Sequence, residues 1–205
     1  MAKSQKPQVD KLQFERQLLE RGYKYIAGVD EVGRGPLAGP VVCAAVIMPL
    51  DAVIDGVDDS KKLSAKKRET LSELIKKTAL CYRIVEVDAK TIDEINILQA
   101  TREGMKQALL GLEIPPEVVL TDGNMTLDIP FRQHSIVHGD ALSYSIGAAS
   151  IIAKVYRDAL MDEYAKLYPA YAFEKNKGYG TAVHIKAIKE QGLCPIHRRT
   201  FTKNF

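Results

Sequence analysis

The stretch Tyr25-Ile26-Ala27-Gly28-Val29-Asp30-Glu31-Val32-Gly33-Arg34-Gly35-Pro36-Leu37-Ala38-Gly39-Pro40-Val41-Val42-Cys43-Ala44-Ala45-Val46-Ile47-Met48 decides the fold. Residues 25–29 and 41–48 are apolar, β-rich runs, and the glycines and prolines between them forbid regular structure. The two runs read as neighbouring strands joined by a rigid connection. The first of them ends on adjacent carboxylates, Asp30 and Glu31.

Working outward, Ser64 can cap a charged helix that runs to about Thr78, and residues 81–87 alternate like a third strand. Thr91-Ile92-Asp93-Glu94 has the spacing of a capping box and opens a helix to about Leu110, before the stop at Pro115-Pro116. Residues 118–120 form a short apolar strand ending at Asp122-Gly123, and residues 135–137 form another before Gly139-Asp140. The alanine- and isoleucine-rich residues 142–167 predict a long, largely buried helix; residues 181–191 predict a last one that stops at Gly192. Upstream, Val9, Leu12, Leu18 and Leu19 recur at near-helical spacing before Gly22, a short amphipathic helix. Strands first, then strands and helices intermixed, predict an α/β fold: a mixed β-sheet with helices on both faces.

Composition sets the frame. A chain of 205 residues with 46% hydrophobic content can bury one substantial core and is short for two full-sized domains. The expected division is an N-terminal helical segment at residues 1–22, a catalytic body at 23–192 and a basic tail at 193–205 belonging to the same single domain. The longest apolar run, residues 41–48, falls far below the roughly 20 residues a membrane span needs, so no membrane association is expected. The polar start, Met1-Ala2-Lys3-Ser4-Gln5-Lys6-Pro7, lacks the apolar centre of a secretory signal, which leaves the glycosylation-like Asn124-Met125-Thr126 without meaning. Cys43, Cys81 and Cys194 are odd in number and include no CxxC pair, against both a disulfide framework and structural zinc, and consistent with a reducing cytoplasm. A net charge of +3 alone does not demand a polyanionic partner. Basic residues do cluster, at Lys61-Lys62, Lys66-Lys67-Arg68, Lys175/Lys177 and Arg198-Arg199.

Asp30 and Asp122 each end a buried-looking strand, Glu31 adds a third carboxylate, and Asp140 lies where the chain enters the long helix and its N-terminal dipole. If the strands of Asp30 and Asp122 are neighbours, the four converge. Such a cluster repels itself unless divalent cations neutralise it, and oxygen-only donors suit Mg²⁺ or Mn²⁺ rather than zinc. Two such ions can stabilise the attacking and leaving oxygens in phosphodiester cleavage, with no nucleophilic side chain. Each carboxylate taken singly has an ordinary reading too: Asp30 and Asp122 as turn residues, Asp140 as a helix N-cap, Glu31 as a solvated charge.

The combination with the loop tips that balance. Residues 30–40, Asp-Glu-Val-Gly-Arg-Gly-Pro-Leu-Ala-Gly-Pro, closely resemble the signature of type 2 ribonuclease H, the ribonuclease HII family. Asp59-Ser60-Lys61-Lys62-Leu63-Ser64, Thr121-Asp122-Gly123, Gly139-Asp140, Ala148-Ala149-Ser150-Ile151-Ile152-Ala153-Lys154-Val155-Tyr156-Arg157-Asp158 and Lys177-Gly178-Tyr179-Gly180-Thr181 resemble the family's later motifs in order, covering roughly residues 24–200. The resemblance implies a ribonuclease-H-like layered fold with a small C-terminal helical part. It also implies Asp30, Glu31, Asp122 and Asp140 as metal-binding catalytic carboxylates, and Gly33-Arg34-Gly35 as backbone groups for the 2′-hydroxyl at the cut site. Glycine permits such close approach, and the 2′-hydroxyl distinguishes RNA from DNA. By similarity again, Tyr179 packs on the sugar of the following deoxynucleotide; otherwise it is a surface tyrosine in a glycine loop. Lys61, Lys62 and Arg198 are candidates for phosphate contacts, while Lys154 and Arg157 can equally be structural ions paired with carboxylates.

The activity so implied is hydrolysis of the RNA strand of RNA/DNA hybrids, and cutting 5′ to single ribonucleotides in duplex DNA. The cut leaves 3′-hydroxyl and 5′-phosphate ends and uses Mg²⁺ or Mn²⁺. The partners are those duplexes; a monomer is expected, and any replication protein that recruits it is unknown. Two other readings stand beside this one: the related type 3 enzyme, which carries an extra N-terminal domain, and a non-catalytic hybrid-binding module with structural carboxylates. Three further patterns carry no function. His134 and His138 lack the metalloprotease glutamate, Ser64-Ala65-Lys66-Lys67 lacks the companion motifs of acyl-serine enzymes, and residues 33–39 have the wrong spacing for a dinucleotide loop.

Overall fold

The structure, a computed structural model, describes residues 10–204; Val9 and the rest of residues 1–9, and Phe205 at the end of the basic tail, lie outside the described residues. Five strands form one sheet: β1 (Ile26–Val32), β2 (Val41–Ile47), β3 (Cys81–Val87), β4 (Val118–Asp122) and β5 (Arg132–Ile136). Their spatial order is β3-β2-β1-β4-β5. The pairs β1/β2 and β2/β3 are antiparallel, whereas β1/β4 and β4/β5 are parallel. The first two strands are thus neighbours, as predicted, and the strands of Asp30 and Asp122 are neighbours too, the condition on which the carboxylates could converge.

Seven helices accompany the sheet among the described residues: α1 (Gln13–Glu20), α2 (Ala65–Thr78), α3 (Ala89–Leu110), α4 (Gly139–Leu142), α5 (Tyr144–Leu167), α6 (Phe173–Asn176) and α7 (Ala182–Gln191). Strand alternation sends Ala27, Val29, Cys43, Ala45 and Ile47 to one face, where Met105 and Leu109 of α3 cover them. It sends Val42, Ala44 and Val46 to the other, against Ala148, Ala149 and Ile152 of α5. β2 is buried on both faces, which is why its sequence is unbroken apolar rather than alternating. Each fully buried Val or Ile here contributes about 1.5–3 kcal/mol. Gly28 lets α5 lie close on β1, since a Cβ there would stand 2.1 Å from the Ser145 carbonyl carbon.

Three boundaries depart from the sequence reading. The helix ascribed to a capping box at Thr91 begins earlier, because the Asp88 carboxylate accepts from the Thr91 N–H and caps α3 first. That helix is kinked at Asn96 (φ 66°, ψ 162°), whose side-chain oxygen accepts from the N–H groups of Leu98 and Gln99 and so restarts it. The long helix, predicted from Leu142, begins at Tyr144 with Ser143 as its cap, and Asp140 sits in the separate turn α4 rather than at the entrance of α5. The edge strand β5 lies a few residues earlier than its apolar part suggested, because the polar residues Arg132, Gln133 and His134 complete it. Glu15 of α1, fully buried, accepts from the Ser143 hydroxyl at 2.6 Å and the Ser145 N–H at 3.0 Å, fixing the α4–α5 junction. Among the described residues no helix is long and apolar enough to cross a membrane.

Candidate active site

The register Val29↔Thr121 between parallel strands sets the next residues, Asp30 and Asp122, side by side. Asp30 faces α5, as Gly28 does, and is only 5% exposed. Its carboxyl is pushed well above the usual carboxylate range, chiefly by burial and then by the negative charge of Glu31; the Ser150 hydroxyl opposes this, and Asp122 adds to it. Ser150 is itself oriented by the Ser60 hydroxyl at 3.0 Å. Glu31 points to the opposite side of the strand and is largely buried, with 15% of its side chain exposed. Burial raises its carboxyl as well, against the pull of Arg34, whose guanidinium donates to Glu31 Oε1 at 3.3 Å.

Asp122 Oδ1 accepts from the Gly139 N–H at 2.6 Å, tying β4 to the turn that carries Asp140. Asp140 is buried and pairs with Lys61 Nζ at 3.3 Å. Although partial burial opposes it, the Asp140 charge raises Lys61, with lesser help from Asp59 and Asp30. Among the described residues, no three acidic, histidine or cysteine side chains stand close enough to enclose a cation.

The loop at residues 33–40 is held from below by two arginines. Arg157 of α5 donates to the carbonyls of Pro40, Ala38 and Lys177 at 2.9, 3.1 and 2.9 Å. Arg198 donates to those of Gly33, Arg34 and Gly39 at 2.6, 2.9 and 2.8 Å. Both side chains are fully buried, and burial lowers Arg157 to about 10 and Arg198 to about 9. Arg198 was expected to contact phosphate; it does not reach the surface, because its donors are consumed by loop carbonyls. Arg157 pairs with carbonyls rather than with a carboxylate, whereas Lys154 does pair with Asp158 at 2.7 Å.

Leu37 N–H donates to the Gly178 carbonyl at 2.8 Å, which brings residues 177–181 alongside the loop. Gly178 must be glycine there: its φ is +86°, and a Cβ would lie 2.4 Å from the Ala38 oxygen. Tyr179, 44% exposed, has its ring over Gly35, where an added Cβ would be 3.7 Å from Tyr179 Cε1. Lys62 leans away from the carboxylates toward Asp58 and Asp59, at 3.8 and 3.9 Å. Charge thus links Asp30, Glu31 and Asp122 to one another, Lys61 pairs with Asp140, and Tyr179 stands against Gly35, while Lys62 turns to Asp58 and Asp59 and Arg198 supports the loop from beneath. The sequence reading assigned no role to Ser150. Its signal was a lone hydroxyl inside the apolar run Ala148-Ala149-Ser150-Ile151-Ile152.

The fold is that of solved ribonucleases H. Ribonuclease H2 from Pyrococcus horikoshii OT3 matches with a TM-score of 0.76 at 28% identity, covering 88% of this chain and 96% of that one. The ribonuclease HII in the PCNA:RNase HII complex from Archaeoglobus fulgidus matches with a TM-score of 0.74 at 26% identity, covering 85% and 94%. Fold and acidic rim together define a nuclease of the ribonuclease H class. Within that class the chain belongs to the ribonuclease HII family, whose model matches residues 27–204. A ribonuclease HII of Endomicrobium trichonymphae is 56% identical over 190 residues, 92% of this chain and 90% of that protein.

Proposed function

We propose that this ribonuclease H cuts the RNA strand of RNA/DNA hybrids and also cuts 5′ to single ribonucleotides embedded in duplex DNA, leaving 3′-hydroxyl and 5′-phosphate ends. The observation that carries the reading is the juxtaposition of Asp30 and Asp122 on adjacent parallel strands with a loop whose Gly35 stands against Tyr179. Asp30, Glu31, Asp122 and Asp140 are the proposed ligands for Mg²⁺ or Mn²⁺. The donor set fits, being all oxygen, and the raised carboxyls of Asp30 and Glu31 mark negative charge in want of a cation. Bound there, divalent cations would supply the charge that activates water and stabilises the leaving oxygen.

The chain's own residues do the rest. The Gly33-Arg34-Gly35 backbone, with no side chain of its own at either glycine, receives the 2′-hydroxyl of the ribonucleotide. Tyr179 packs on the sugar of the next deoxynucleotide and so favours an RNA-to-DNA junction. Lys61, with a side chain 79% exposed, positions a phosphate and balances Asp140. Lys62 contributes to the same basic border. The protein acts as a monomer in the cytoplasm, where its three free cysteines stay reduced, and the cellular use is removal of misincorporated ribonucleotides and RNA primers.

The test is a cleavage assay on a DNA duplex holding one ribonucleotide, with Mg²⁺ or Mn²⁺ added. Cutting on its 5′ side is expected; a shift of the duplex without cutting would identify a binding module instead. Asp122→Asn keeps the amide-accepting oxygen for Gly139 but removes the charge, so turnover should fall by at least about a thousandfold with duplex binding retained. Full activity of this variant would overturn its assignment.

A further inference from the structure

His184 of α7 and His197 of the C-terminal segment are both buried and lie outside the acidic rim. Their Nε2 atoms are 3.0 Å apart, inside a box made by the rings of Tyr171 and Phe173. Two neutral imidazoles can make that contact only if one donates and the other accepts. The Tyr179 carbonyl, 2.9 Å from His184 Nδ1, can only accept, so the His184 proton is on Nδ1 and its Nε2 is a lone pair. His197 Nε2 must then carry the proton, leaving its Nδ1 free to accept from the Cys194 N–H at 2.9 Å. This assignment satisfies all four ring nitrogens, whereas the reverse sets a lone pair against the Tyr179 oxygen.

The result is a directed chain of hydrogen bonds from the Cys194 backbone through both rings to the Tyr179 backbone. Its starting end, at His197, is anchored to the glycine loop. His197 forms an isolated antiparallel bridge with Ala38, the Gly39 N–H donates to the Ile196 carbonyl at 2.9 Å, and the Arg198 N–H donates to the Leu37 carbonyl at 2.8 Å. One segment therefore pins the loop that carries Gly35 and, through the imidazole pair, the residue whose ring covers it.

We propose that the His184–His197 pair positions Tyr179 over Gly35, making these histidines specificity-determining residues for ribonucleotide junctions. The proposal rests on the reading of Tyr179 as the residue that packs on the deoxynucleotide sugar. Loss of the His184 hydrogen bond leaves the carboxylates untouched but leaves the Tyr179 carbonyl only the Thr181 N–H at 2.8 Å, so Tyr179 is held less firmly over Gly35. Cutting at a single ribonucleotide suffers, because there the next sugar is always a deoxyribose. Cutting within a long RNA strand does not depend on that packing.

The experiment compares kcat/KM on a duplex with one ribonucleotide and on a uniform RNA/DNA hybrid. Asn can set its amide N–H near the place of His184 Nδ1 and keep the Tyr179 contact, whereas Gln reaches toward Nε2 and loses it. His184→Gln should lower the single-ribonucleotide to hybrid ratio about fivefold, roughly the worth of one neutral hydrogen bond, and His184→Asn should largely restore it. Combined with Tyr179→Ala, His184→Gln should reduce the ratio no further than Tyr179→Ala does alone. Equal losses on both substrates, equal ratios for Gln and Asn, or an additive double variant would each overturn the positioning role. An unchanged ratio in Tyr179→Ala sinks the reading of Tyr179 and the proposal with it; a shifted ratio there beside an unchanged one in His184→Gln sinks the positioning role alone. Should the variants not fold, long-range ¹H–¹⁵N spectra of the wild-type rings decide: protons on His184 Nδ1 and His197 Nε2 are expected, and the opposite tautomers overturn the proposal.

Discussion

Residues 33–40 and the acidic rim beside them are neighbours held in contrasting ways. The carbonyls of Gly33, Arg34, Leu37, Ala38, Gly39 and Pro40 all accept hydrogen bonds, most of them from the buried guanidinium groups of Arg157 and Arg198. The rim is looser. Asp122 leans on one backbone N–H of the Asp140 turn, and Asp140 and Glu31 are met by exposed cations that solvent can also reach. On the proposed function, the difference matches what each would recognise. A neutral hydroxyl offers little binding energy, so the groups that sense it must be fixed in advance. A divalent cation binds oxygen donors with ample energy, so the carboxylates that would hold it need less support from the protein.

Breaking the loop should have the largest effect. Arg198→Ala strands buried carbonyls of Gly33, Arg34 and Gly39 and should cost about 3 kcal/mol or more of stability by chemical denaturation. A variant with wild-type stability would refute the clamp. Gly178→Ala, which sets a methyl group against the Ala38 oxygen at a positive φ, should cost about 1–3 kcal/mol and weaken discrimination for the 2′-hydroxyl; an unshifted midpoint would show that the loop yields easily.

The histidine pair beneath the loop gives it an acid limit. Burial and the neighbouring His184 lower His197 from its ordinary 6.5 to about 4. The folded state then resists protonation that the unfolded chain accepts at higher pH. Its stabilising contribution is complete above about pH 6.5 and is lost as pH falls toward 4, at up to about 1.4 kcal/mol per pH unit. Unfolding midpoints for the wild type and His197→Gln should converge across that window; parallel curves would count against the shift.

The rim should respond in the opposite sense. Asp30 is raised by burial and by like charge, so the folded state holds its proton more tightly than the unfolded chain, and stability without divalent cation declines as pH rises above the ordinary carboxylate value. Asp30→Asn should therefore melt about 2–4 °C higher in chelator at neutral pH while losing activity, and a lower melting temperature would contradict the repulsion. The smallest effect concerns the border. Lys61→Ala should reduce the slope of log affinity against log salt by roughly one, whereas Arg198→Lys, if folded, should leave it unchanged because Arg198 touches no solvent.

The alternation and apolar runs at residues 26–47, the cap at Ser64 and the glycine stop at Gly192 were legible in the chain because they rest on local geometry and on binary pattern. So were the acidic candidates, since a carboxylate at the end of a β-rich run is visible without coordinates. Asn96 was not legible: a kink in α3 depends on one side chain recapping the helix where periodicity predicts continuity. Nor was Asp88, whose cap competes with the better-known pattern at Thr91.

By itself, then, the sequence determined the mixed sheet and the rigid loop after Glu31 and singled out four candidate carboxylates, because hydrophobic period, turn chemistry and charge are properties of the residues themselves. Only the tertiary structure decided which cations are free to meet a phosphate and which are consumed inside. Arg198 reads as one more charge in a basic tail, yet the packing of that tail under residues 33–40 buries it among carbonyls, and a buried cation satisfies the partners that long-range contacts supply, whatever its neighbours in sequence.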